Sequence, residues 1–178
     1  MILLARHGQT AYNAEGRFQG HLPVPLNALG REQAATLAEA AVPLGITRLW
    51  CSPLARARET AGIVAERLAL DPREDSRFAE TDCGDWTDRW FADVQREAPD
   101  EFARFAAGDP AFVFPGGESF AQQTGRVIEG LEALRAREET PVLVVCHGVT
   151  IRLALAHATG ADPRAVAPVG NAEVVELP

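Results

Sequence analysis

Residues 142–148 read Val-Leu-Val-Val-Cys-His-Gly, and residues 2–8 read Ile-Leu-Leu-Ala-Arg-His-Gly. Each is a short, unbroken apolar run that gives way to a histidine followed by a glycine. A run of this length without polar alternation predicts a strand covered on both faces, as in a parallel sheet between layers of helix. Working outward, the polar, glycine-containing stretch 7–25 predicts a long loop. Asn27 then predicts the N-cap of a helix whose Gly30, Ala34, Leu37, Ala41 and Leu44 share a face, closed by Pro43 and Gly45. Residues 46–51 form a second apolar run, and Ser52-Pro53 predicts the cap and first turn of a helix reaching Leu68. Residues 71–88 break into short polar pieces, and 93–107 predict an irregular helix. Phe120, Val127, Ile128, Leu131 and Leu134 mark one face of the next helix; the 142–145 strand then runs into a helix ending near Thr159, and 174–177 predicts a final edge strand. Strands and helices alternate with no low-complexity linker or repeat. The expectation is one α/β domain over 1–178, a three-layer α/β/α sandwich with a mostly parallel central sheet.

The composition excludes several functions. At 178 residues and 47% hydrophobic, the chain is long enough to bury roughly 70% of the surface it exposes unfolded. A net charge of -8 and a pI near 5.0 remove the broad basic face that nucleic-acid binding requires, so no nucleic-acid partner is expected. All 17 lysine-or-arginine positions are arginine, which excludes a Walker A loop, a Schiff-base lysine and a Ser-Lys dyad. Cys51, Cys83 and Cys146 are too few and too far apart for a disulfide framework or a zinc knuckle and are expected as buried thiols. The N-terminal run turns polar at Arg6, so it reads as neither signal peptide nor membrane span. A cytoplasmic protein without a membrane partner is the expectation.

In an open α/β sheet, ligands collect beyond the carboxyl ends of the strands, where helix N-termini leave backbone N–H groups free. If the two His-Gly strands are neighbours, His7 and His147 meet in one pocket. A lone histidine is more often a hydrogen-bonded structural residue; two echoing copies at strand ends argue for a site.

Five segments carry a family resemblance: Arg6-His7-Gly8-Gln9-Thr10 with Asn13, continued by Arg17-Phe18-Gln19-Gly20 and Pro25-Leu26; Cys51-Ser52-Pro53-Leu54-Ala55-Arg56-Ala57-Arg58-Glu59-Thr60; Glu80 with Gly84 and Trp86; Pro115-Gly116-Gly117-Glu118-Ser119; and Val145-Cys146-His147-Gly148. In this order they resemble the histidine phosphatase superfamily, the phosphoglycerate-mutase-like proteins. The resemblance implies that fold, no cofactor and no metal, and a small phosphorylated metabolite as substrate. It also implies His7 as the nucleophile, His147 as a second catalytic histidine, and phosphate bound by Arg6, Asn13, Arg56 and the Gly148 N–H. Glu80 enters as proton donor by resemblance alone, because its spacing reads equally as a solvated loop carboxylate. Arg17, Gln19, Gly20 and His21 are candidates for contact with the substrate, Arg17 being open to either phosphate or the attached group. Two departures stand out: Trp86-Thr87-Asp88, where the family commonly has Trp-Glu-Gly, and Pro23, where many members carry an aspartate. The proline also looks like some α-ribazole phosphatases.

The chemistry fits these residue types. Imidazole, with an unperturbed pKa near ~6.5, is a nucleophile that can be uncharged at neutral pH. Neighbouring cations keep it so and stabilise charge spreading over the phosphoryl oxygens, where arginine's planar fork holds two at once. Glu80 would act first as acid on the leaving group and then as base on water. Arg31, Arg48, Arg67, Arg135 and Arg137 read as solvent-exposed partners of nearby glutamates, and His157 as structural. Cys146 and Arg152 form a C-x5-R spacing after a strand, the frame of a cysteine-dependent phosphatase, but Gly148 and Leu153 break that pattern. A phosphoglycerate-mutase-type transferase and an inactive phosphate-binding protein of the same fold are the remaining alternatives. The group esterified to the phosphate and the oligomeric state are not legible.

Overall fold

The computed structural model describes residues 1–137 and 141–178. Its sheet holds β1 (Ile2–Arg6), β2 (Arg48–Cys51), β3 (Pro72–Glu74), β4 (Val142–Cys146) and β5 (Val174–Leu177) in the order β3-β2-β4-β1-β5. Neighbours are parallel except β5, which runs antiparallel to β1 at the edge. The register of β1 and β4 pairs Ile2 with Val142 and Arg6 with Cys146. The two His-Gly strand ends are therefore level and adjacent, as their sequence echo implied.

The described helices are α1 (Ala11–Glu15), α2 (Ala28–Ala41), α3 (Ala55–Leu68), α4 (Phe91–Glu97), α5 (Pro99–Ala107), α6 (Phe120–Ala136) and α7 (Gly148–Thr159). Strand pleating sorts alternate residues to the two faces. Leu3, Ala5, Leu49, Cys51, Leu143 and Val145 pack against α2 and α3. Ile2, Leu4, Trp50, Val142, Val144 and Cys146 pack against α6 and α7. Leu4, Leu143 and Val144 are almost wholly buried, each stabilising the fold by about 1.5–3 kcal/mol. A third core of Phe18, Trp86, Phe112, Phe114, Phe120 and Leu153 sits apart from these two. No described helix is long and apolar enough to cross a membrane.

Several local expectations change. The 7–25 loop contains α1, capped by Thr10, whose Oγ1 accepts from Asn13 N while Asn13 Oδ1 accepts from Thr10 N; five residues are too few to show a hydrophobic period. Ser52 is not the cap of α3; Leu54 occupies that position, and the Ser52 hydroxyl turns inward. The 93–107 helix is two helices split at Ala98, with Pro99 opening the second, where its missing N–H costs nothing. On α6, Ile128 is half-buried, while Gln123 and Gly130 complete the buried face. Arg31 and Arg67 pair with Glu59 and Glu39 across the α2–α3 interface, not along one helix.

Candidate active site

The β1 end places His7 with its ring buried and Nδ1 2.7 Å from the Gly8 carbonyl. A carbonyl only accepts, so Nδ1 carries the hydrogen and Nε2 the lone pair. Arg56 Nε donates to that lone pair at 3.2 Å. The His147 ring lies 5.2 Å from that of His7. Its Nε2 is 2.7 Å from Ser52 Oγ, which accepts from Leu54 N at 3.2 Å, and its Nδ1 is buried with no partner among the described residues. Burial holds both imidazoles well below their ordinary range, and Arg56 pushes in the same direction. Desolvation thus outweighs the neighbouring cations that the residue types suggested. His147 is therefore itself neutral at neutral pH.

Arg56, the second residue of α3, is 1% exposed and is anchored by the first loop: its Nη2 donates to Gly20 O at 3.0 Å and its Nη1 to Leu22 O at 3.4 Å. Gly20 makes the necessary turn with φ +49°. Burial pulls Arg56 down to about 10, so it stays cationic at neutral pH. Arg6 donates from Nη1 to Val169 O at 2.8 Å, while its Nε is buried without a partner among the described residues. Gly148 opens α7, where the helix makes no use of its N–H. Asn13 has committed its oxygen to Thr10 N, leaving the amide nitrogen as its available donor on the cavity wall.

Glu80 Oε1 accepts from Thr81 N at 3.0 Å and from Gln123 Nε2 at 3.2 Å; its Oε2 accepts from Val149 N at 3.4 Å. Its charge reaches both Arg6 and Arg56. Gln123 is fully buried, donates also to Thr150 Oγ1 at 3.0 Å and accepts from Thr81 Oγ1. Asn171 Nδ2 donates to His7 O at 3.0 Å. Gln123, Thr150 and Asn171 were not singled out from sequence, and Ser52 was read only as a helix cap and as part of a motif.

The looser candidates are placed differently from expectation. Arg17 is ion-paired to Asp88, with its guanidinium 4.4 Å from the Tyr12 ring centre and 4.9 Å from that of Trp90. The Asp88 departure thus answers Arg17's charge from a left-handed backbone (φ +69°) that Asp tolerates. Gln19 is buried and accepts from Thr10 Oγ1 at 2.9 Å. His21 does not line the cavity that His7 and Arg56 share; its Nε2 is 2.7 Å from the Glu80 carbonyl, which Arg126 also holds. Gly8 faces protein, since a Cβ there would lie 2.2 Å from Gly30 O. The C-x5-R reading fails: Cys146 is a core residue whose thiol burial pushes up, and Arg152 donates to Ala106, Ala107 and Pro163 carbonyls.

Arg6, His7, Asn13, Arg56, Glu80 and Gly148 converge on one cavity of about 380 Å³ beyond the carboxyl ends of β1 and β4. Unpartnered donors, a lone-pair imidazole and two arginines facing a carboxyl group suit an anion that exchanges a proton.

The model of the histidine phosphatase superfamily, branch 1, matches residues 2–178. A probable phosphoglycerate mutase, GpmB, of Salmonella paratyphi B is 35% identical over 151 residues, 84% of this chain and 70% of that protein. A mycobacterial glucosyl-3-phosphoglycerate phosphatase, solved with VO3, superposes with a TM-score of 0.88 at 35% identity, over 97% of this chain and 90% of its own. A putative α-ribazole-5'-P phosphatase from Escherichia coli K-12 gives 0.85 at 28% identity, over 97% and 87%. The strand-end histidines, the order of the motifs and these matches agree that the chain belongs to the histidine phosphatase superfamily.

Proposed function

We propose that the chain is a metal-independent phosphomonoesterase that hydrolyses a small phosphorylated metabolite through a phosphohistidine on His7. The observation that carries this reading is the fixed tautomer of His7: Nδ1–H on the Gly8 carbonyl and the Nε2 lone pair directed at Arg56, in a pocket that keeps the ring neutral. A phosphate dianion entering there meets Arg6 Nε and His147 Nδ1, both buried and unpartnered. In this reading Ser52 Oγ gives its hydrogen to His147 Nε2, which puts the His147 proton on Nδ1, available to the anion. Arg56 leaves the lone pair for a phosphoryl oxygen as the ester binds, which frees Nε2 to attack phosphorus.

The N–P bond forms as the P–O bond to the alcohol breaks, and Glu80 supplies the proton that the leaving oxygen takes up. Water then attacks the phosphohistidine, giving its proton to the ionised Glu80 as the N–P bond breaks. Arg6, Arg56 and the Gly148 N–H hold the equatorial oxygens throughout, supplying the charge stabilisation that a metal gives elsewhere.

Acid-sensitive, base-stable label on His7 after quenching with labelled substrate is the expected result, with turnover retained in excess EDTA. Label elsewhere, activity surviving His7→Ala, or loss in EDTA that magnesium restores would overturn the reading. The mutase-named relative keeps one alternative open to the same experiment. Chasing the phosphoenzyme with glycerate in water should release inorganic phosphate; capture by glycerate would make the chain a transferase.

A further inference from the structure

Resting on that reading, we infer that the alcohol esterified to the phosphate is apolar, with an aromatic or alkyl body. The cavity that begins at His7 continues along Phe91, Phe105, Val149, Leu153 and Pro168. Phe91 opens α4 and is 37% exposed, and Phe105 projects from α5. Behind them stand Phe18, 4.4 Å from Phe91 between ring centres, and Phe114, 5.5 Å from Phe105. These rings are held in place by mutual packing, so a ligand body meets preformed apolar surface with little ordering cost.

Most polar side-chain atoms along this part of the wall are committed. Arg152 directs Nε and both Nη atoms to the carbonyls of Pro163, Ala106 and Ala107, and the first of these bonds is 2.7 Å. Arg17's charge is answered by Asp88 and its guanidinium lies over the Tyr12 and Trp90 rings, which leaves its buried Nε as the one donor here without a partner among the described residues. The Thr81 hydroxyl is used on Gln123. A sugar or glycerate body would leave hydroxyl or carboxylate groups facing phenylalanine, where an unmatched polar group costs more than an apolar contact returns. A phenyl or alkyl body has no such requirement.

Binding of non-hydrolysable phosphonates to the full chain tests this without depending on turnover. Calorimetry should give 3-phenylpropylphosphonate a Kd on the order of 10- to 100-fold below that of 2-carboxyethylphosphonate, the range a hydrophobic pocket discriminates, and a more negative heat-capacity change. Phe105→Ala should reduce that ratio, and Phe91→Ala, at a more exposed position, should reduce it in a chain whose melting temperature is retained. Equal affinities, a preference for the carboxylate, or a ratio indifferent to Phe91→Ala would overturn the inference. Hydrolysis of p-nitrophenyl phosphate by the same preparation is scored separately. Its absence alongside selective phosphonate binding would defeat the phosphatase reading while leaving the apolar preference standing.

Discussion

Thr150 has one hydroxyl hydrogen and gives it to the Ala79 carbonyl at 3.1 Å, so toward Gln123 it can only accept. That fixes the Gln123 amide: its nitrogen faces Thr150 and Glu80, and its oxygen receives the Thr81 hydroxyl. Glu80 Oε1 then has two donors upon it, from Gln123 and Thr81 N, and cannot also carry a proton facing them. In the proposed mechanism the acidic hydrogen therefore belongs on Oε2, whose single donor, Val149 N, stands farther off at 3.4 Å. Gln123→Leu should therefore lower kcat for an alkyl phosphate by on the order of tenfold to hundredfold, the scale of a misplaced catalytic group, with KM little changed. For an aryl phosphate with an acidic phenol, single-turnover phosphorylation should fall far less, because that group leaves without a proton. Glu80→Gln should show the same dependence more strongly. Equal losses for both substrates would remove Gln123 from proton placement. His7 and His147 were legible because a histidine after a buried strand is out of place unless used. Gln123 was not, because a glutamine amid helical polar residues has no pattern until Thr81, Thr150 and Glu80 close around it from three other segments.

At the scale of elements, α2 and the turn after β1 meet backbone to backbone. A Cβ on Gly30 would lie 2.0 Å from the Gln9 carbonyl oxygen, and one on Gly8 would lie 2.2 Å from the Gly30 carbonyl oxygen. Neither neighbour is a flexible side-chain tip, so a methyl group must push α2 from the strand end that positions His7. Gly30→Ala should cost about 1–3 kcal/mol of stability, as overpacking does, and lower kcat as well, read from urea unfolding and steady-state rates. By comparison, Gly62→Ala, where a Cβ meets nothing within 4 Å, should leave both unaffected or improve stability. The elements read best from sequence were β1 and β4, each an unbroken apolar run, and α2, with its periodic apolar face and Asn27 accepting from Gly30 N at 2.8 Å. The polar stretch around α1 was misread because its order comes from a Thr10–Asn13 capping box and not from an apolar face. Ser52 matched the sequence rule for a cap, yet the nearby His147 claims its hydroxyl.

The molecule as a whole keeps two imidazoles neutral at its centre, and that shapes its response to acid. Both are depressed by burial in the folded state, whereas the unfolded chain's histidines titrate near ~6.5. Below that pH the unfolded state binds protons that the folded state refuses, so stability present above it is lost as pH falls, at ~1.4 kcal/mol per pH unit for each histidine. Glu39, Asp75, Asp109 and Asp162, also depressed, act only in the lower carboxylate range. In phosphate-free buffer the urea midpoint should drop between pH 7 and 5.5, and His147→Asn should shrink that drop. An unchanged midpoint would mean the rings protonate in place. The sheet order has a further consequence, for synthesis on the ribosome. β4 lies between β1 and β2, so the strand that ends at His7 is made well before β4, its neighbour on that side. Until then β1 and β2 have no partner between them, and their unpaired edges are open to other chains. A product cut short before β4 would lack His147 and the wall that Gly148, Val149 and Leu153 give the cavity, and would be prone to stick.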